Sequence, residues 1–168
     1  MGVIIVFEVG NFVMYKRDVC KIVSIETNKY TNLDCYVLSP ITDESLKINA
    51  PLDNKNGYLR NLLTKEEIDN LIKSIPLIQS LKIDSKNLEN EYRTLLHSGK
   101  HEDLIRIIKT TYLRNKERQE NKRTIGEKDK EYFNKAEKYL YSEIAVVLDK
   151  SFEEAKEYVI SIVKELEN

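Results

Sequence analysis

Residues 7–38 read FEVGNFVMYKRDVCKIVSIETNKYTNLDCYVL, and the fold class follows from how this stretch is punctuated. Val13 and Tyr15 alternate with Phe12 and Met14. Val19, Lys21, Val23 and Ile25 alternate with Cys20, Ile22 and Ser24. A third run, Cys35 to Leu38, is entered through Thr31-Asn32-Leu33-Asp34. β-Branched and aromatic residues with little alanine suit a pleated, half-buried surface. Glu8-Val9-Gly10-Asn11 and Lys16-Arg17-Asp18 read as turns, and Asn28 to Asn32 as a longer polar loop. Pro40, within Ser39 to Ser45, argues against a central strand there. Leu46 to Ala50 alternates again and stops at Pro51. Asp53 to Gly57 is a dense turn cluster, and Tyr58 to Leu62 is a last short strand. The apolar start, Met1 to Phe7, reads as a first strand. About five strands suffice for a small SH3-like barrel, because closure removes exposed strand edges.

After residue 62 the pattern changes to helical periodicity, so the expected domains are 1–62 and 63–168. Thr64-Lys65-Glu66-Glu67 is a capping box, followed by the stripe Ile68, Leu71, Ile72 and Ile75, and Pro76 ends that helix. Asp84 or Ser85 caps the next helix, with Leu88, Tyr92, Leu95 and Leu96 buried and Ser98-Gly99 as its stop. A third helix runs from His101 with Leu104, Ile107, Ile108 and Thr111 on one face. Thr124-Ile125-Gly126-Glu127 reads as a second capping box for a long helix buried through Tyr132, Phe133, Ala136, Tyr139, Leu140, Ile144, Val147 and Leu148. Ser151-Phe152-Glu153-Glu154 reads as a third, for a helix buried through Phe152, Ala155, Val159, Ile162, Val163 and Leu166. The fold class expected is α+β, a small barrel followed by an all-helical domain.

A net charge of −1 with 33% charged residues describes an ordinary soluble composition, so only the distribution of charge can point to a partner. No apolar run approaches the roughly 18 residues of a membrane span. The start lacks the basic region and cleavage site of a signal peptide, and Val6 stands where a myristoylation signal has Ser or Thr. Cys20 and Cys35 read as buried thiols of a cytoplasmic protein. Nothing asks for a cofactor. There is no phosphate loop, nucleophile elbow or metalloprotease motif. His97 and His101 are four apart, but Gly99 breaks the helix between them, so a metal site is not expected. The chain therefore does not read as an enzyme.

Charge is one-sided in only one place. Between positions 106 and 123 stand Arg106, Lys109, Arg114, Lys116, Arg118, Lys122 and Arg123 against Glu117 and Glu120. At about 100° per residue, Arg106, Lys109, Lys116 and Arg123 project together, away from Ile107 and Ile108. Such a face either contacts phosphates or is simply the solvated side of a helix. Basic and acidic residues balance through Arg60, so the first domain reads as a protein-binding module.

The order of parts resembles the CarD/CdnL family of bacterial transcription regulators, in its shorter form. The resemblance rests on FEVGNFVMYKRDVCKIVSIET, DCYVLSP, LKINAPLDN and LTKEEIDNLI, then YRTLLHSG, DLIRIIKTTYLRNKER, TIGEKDKEYFNKAEKYLYSEIA and EEAKEYVI. It spans nearly the whole chain. It implies a Tudor-like domain that binds the RNA polymerase β subunit, shared with the transcription-repair coupling factor. It also implies a helical domain that contacts promoter DNA at the upstream fork of the melted bubble without sequence specificity. The protein would be a monomer in the nucleoid. The polymerase-binding positions implied are Asn28 and Asn49, with Lys29 and Lys47 beside them, where relatives have arginines. The DNA-binding positions are Leu88, Asn90, Arg93, Arg106, Lys109 and Lys116. Relatives carry a Trp wedge where this chain has Leu88, followed by Glu89-Asn90-Glu91 where they are more basic. Leu88 is either an apolar wedge between base steps or a core residue. The alternative function is a polymerase-binding adaptor without productive DNA contact.

Overall fold

Among the described residues, 6–82 and 86–168 of a computed structural model, five strands come first and five α-helices follow. The order is α+β. The chain divides into two compact units, Met1–Leu62 and Leu63–Asn168. Of the first strand expected over Met1 to Phe7, residues 1–5 lie outside the described residues, as does the Asp84/Ser85 cap, and Val6 and Phe7 are not in a strand.

In the first unit, β1 (Phe12–Tyr15), β2 (Asp18–Thr27), β3 (Asp34–Pro40), β4 (Ile48–Pro51) and β5 (Leu59–Arg60) form one antiparallel sheet, ordered β4-β3-β2-β1-β5. The register places apolar residues opposite one another: Val13 faces Cys20, Ile22 faces Leu38, and Tyr36 faces Ala50. These residues, with Phe7 and Leu59, form the core of the unit. Phe7 is held there by its backbone N–H, which donates to the Tyr36 hydroxyl at 3.1 Å.

Two readings of this stretch need correction. The alternation expected along β2 is broken by a bulge: Ile22 pairs with Leu38, but the next partner of Val37 is Ser24, leaving Val23 without an opposite residue. A bulge bends its strand and increases local twist. Pro40 does not exclude a central strand, because it is the last residue of β3 and its missing N–H falls where the ladder ends. β3 is buried continuously from Cys35 to Pro40, so it shows no alternation at all.

In the second unit, α1 (Lys65–Ser74) carries the Thr64/Glu67 capping box and runs into a 3₁₀ turn at Ile75–Leu77, where Pro76 sits. Then come α2 (Leu88–His97), α3 (His101–Glu120), α4 (Glu127–Leu148) and α5 (Phe152–Glu167). The Ser151/Glu154 capping box opens α5. The box expected at Thr124 does not form. Lys122 turns the chain at φ 56°, the Thr124 carbonyl faces Arg118, and α4 starts later, from Gly126, with no side-chain cap. The core of the unit runs through Ile68, Ile72, Tyr92, Ile107, Leu140 and Ile144. Each such side chain contributes about 1.5–3 kcal/mol on burial. No helix of the described residues is long and apolar enough to cross a membrane.

Candidate functional site

The first unit has two outer strands among the described residues, and they differ. β5 is covered: the Asn54 carboxamide donates to the Leu59 carbonyl and accepts from the Leu59 N–H, both at 3.0 Å. It thus stands in for a neighbouring strand, which is one way a sheet blunts an edge. β4 carries no such side-chain cover among the described residues. Asn49 lies exposed in β4, opposite Val37. Lys47, just before β4, is exposed and reaches the Glu44 carbonyl at 3.1 Å. Asn28 and Lys29 belong to the loop after β2. There the Asn28 side chain accepts from the N–H groups of Tyr30 and Thr31, so it shapes the loop, and Lys29 is exposed.

The four sequence-chosen positions do not form one cluster. Ile48 pairs with Leu38, and Thr27 pairs with Asp34, at opposite ends of β3. Four residue steps, about 13 Å at ~3.3 Å each, separate those ends. The loop instead offers two apolar side chains that the sequence did not flag, Tyr30, 98% exposed, and Leu33.

In the second unit the one-sided basic face is only partly a surface. Arg106 donates to the Gln79 carbonyl and pairs with Asp103 at 3.0 Å. Lys109 donates to the carbonyls of Ile75 and Ile78, closing the end of the 3₁₀ turn, and burial pushes its pKa down. These two cations serve the fold. Lys116 and, beyond α3, Lys122 and Arg123 are exposed. On α2, Asn90 is exposed, while Arg93 pairs with Glu89 at 3.4 Å. Leu88 is 8% exposed and belongs to the helical core with Tyr92 and Leu96, so of its two readings the structure favours core over wedge.

Sequence reasoning missed three buried acids on α4. Asp129 accepts from the Tyr92 hydroxyl at 2.8 Å and from Arg114 Nε at 3.2 Å. Burial, and then the Asp129 carboxylate, push the Tyr92 pKa up. Glu137 pairs with Lys156 of α5 at 2.7 Å. Glu143 meets His101 Nε2 at 2.7 Å and accepts from the Leu63 backbone N–H at 2.7 Å. The histidines four apart therefore go separate ways: His101 to Glu143, and His97 Nδ1 to the Arg93 carbonyl at 2.7 Å. Among the described residues, no three His, Cys, Asp or Glu side chains are grouped to hold a metal ion.

No family model and no curated protein matches this chain.

Proposed function

We propose that this protein is a non-enzymatic transcription regulator that joins the RNA polymerase β subunit to promoter DNA and stabilises the open complex. What carries the reading is the order of parts: a five-stranded antiparallel unit, then a helical unit, in the order the CarD/CdnL resemblance implies. In this proposal the sheet rolls into a Tudor-like barrel, helped by the bend at the Val23 bulge. The partner strand adds to β4, the outer strand that no side chain covers among the described residues, and Asn49 and Lys47 flank the joint. Tyr30 and Leu33 add apolar contact from the loop.

DNA contact falls to Lys116, Lys122 and Arg123, with Arg93 and Asn90 on α2. Their attraction to phosphates is sensitive to salt and indifferent to base sequence. A protein that holds the melted fork better than the closed duplex shifts that equilibrium, and equal affinity would shift nothing. The test is the lifetime of the open complex on purified polymerase, with and without this protein. An unchanged lifetime at saturating protein refutes the reading.

A second reading is favoured by one observation. Arg106, Lys109 and Leu88, three of the six implied DNA positions, are engaged within the helical unit. If residues 1–62 capture the β subunit while the full chain shows no affinity for fork-junction DNA, the protein is an adaptor.

A further inference from the structure

Between α3, α4 and α5 lies a cavity of about 470 Å³, walled mostly by apolar side chains, among them Ile105, Ile108, Leu140, Val159 and Val163. A second recess of about 400 Å³ shares Lys109, Tyr112 and Glu167 with it and runs on past Leu113 to Ile78. Together they make an elongated apolar groove, each part within the roughly 300–1,000 Å³ usual for small-molecule sites.

The junction of the two recesses holds a cation. The Lys109 ammonium has three N–H donors. Two go to the Ile75 and Ile78 carbonyls, which are neutral. The Glu167 carboxylate acts on it only through space. This half-buried ammonium has a counter-charge in Glu167 but no anion in contact among the described residues, so an incoming anion finds a donor already positioned. Lys156, on the same rim, is occupied by Glu137 at 2.7 Å. Lys164 adds a second cation, leaving Lys109 and Lys164 to face Glu167.

Size and shape argue for a chain-like occupant: two joined recesses of about 470 and 400 Å³, walled mostly by apolar side chains with a cation where they meet, suit an alkyl tail that carries one charged end. We propose that this groove binds a single-chain amphiphile with an anionic head, its tail in the α3–α4–α5 cavity and its head on Lys109. This inference does not depend on the transcriptional reading.

Isothermal titration calorimetry of the full chain, with dodecanoate below its micelle concentration, tests it. Dodecanoate saturates at one molecule per chain, at least about tenfold tighter than dodecyltrimethylammonium, as expected for one charge-assisted hydrogen bond. Acetate, which has the head and no tail, gives no saturable heat. Lys109→Met weakens dodecanoate binding about tenfold, and Val163→Phe, which fills the cavity, abolishes it. Circular dichroism confirms that each variant is folded. If either is not, the head-group comparison on the unsubstituted chain decides. No saturable dodecanoate binding, equal affinity for the cationic amphiphile, or undiminished binding by folded Val163→Phe overturns the proposal.

Discussion

Replacing Asp129 by Asn changes one oxygen to an NH₂ group and leaves shape almost intact, so its effect isolates a charge. Asp129 is 1% exposed. The amide oxygen can still accept from Tyr92, so that hydrogen bond survives. Arg114 fares worse: its Nε–H, 3.2 Å from the carboxylate, loses its counter-charge. Removing one partner of a fully buried pair costs about 3–5 kcal/mol. The Arg114 side chain is 24% exposed, so water reaches part of the guanidinium, and the lower end, about 3 kcal/mol, applies. For a unit of this size that lowers the melting temperature by roughly 10–20 °C. Urea unfolding followed by far-UV circular dichroism reads it directly, because the helices dominate the signal. Tyr92→Phe removes only the hydroxyl and should cost about 1–2 kcal/mol. The double variant should be close to additive, since the hydrogen bond that Tyr92→Phe removes is still made in Asp129→Asn. An Asp129→Asn protein that unfolds cooperatively within about 0.5 kcal/mol of the parent would refute the argument.

Leu88→Ala should cost on the order of 2–5 kcal/mol, read by the same denaturation; a small cost with a shortened open-complex lifetime would restore the wedge reading. Lys116→Ala with Arg123→Ala should reduce the salt slope of fork-junction binding by about two units of log affinity per log salt, without loss of β-subunit capture; an unchanged slope moves the contact elsewhere. Burial, and then Asp18, push the Cys20 thiol up from 9.0 to about 11. Its folded pKa is raised, so its contribution is complete below pH 9 and is lost as pH rises toward 11. Stability of the first unit should fall across that window in the parent and fall less in Cys20→Ala, provided that variant folds. Ser151→Ala should cost about 1 kcal/mol by removing the α5 cap.

The strands and helices were legible because their signals are local. Thr64/Glu67 and Ser151/Glu154 each announce a helix through residues three apart, and both boxes form. Thr124 carries the same spacing and fails, because the turn at Lys122 and the Arg118 contact set where α4 begins, and neither shows in a four-residue motif. The Val23 bulge was invisible for a related reason: alternation describes one strand, and a bulge is a property of two. The basic face was over-read. Helical angles place Lys109 beside Lys116, but whether an ammonium meets solvent or a carbonyl depends on what packs alongside, here the end of the Ile75–Leu77 turn. The buried acids of α4 were missed because hydrophobic periodicity records where apolar residues face and is silent on a charge that shares that face.

Those three acids also act as an address. Arg114 and His101 lie thirteen positions apart on α3, and their partners Asp129 and Glu143 lie fourteen apart on α4, so antiparallel helices meet both pairs in one alignment. Glu137 checks the same alignment against α5 through Lys156. Apolar stripes alone tolerate a slip of one turn, about 5.4 Å, since Leu, Ile and Tyr side chains pack against many neighbours. The acids do not, because a slip strands each of them against hydrocarbon. By this reasoning, a variant with all three pairs replaced by apolar residues of similar volume stays helical and stable but loses its single packing, seen as collapsed amide dispersion in NMR spectra. Well-dispersed spectra from that variant would show that shape alone selects the alignment.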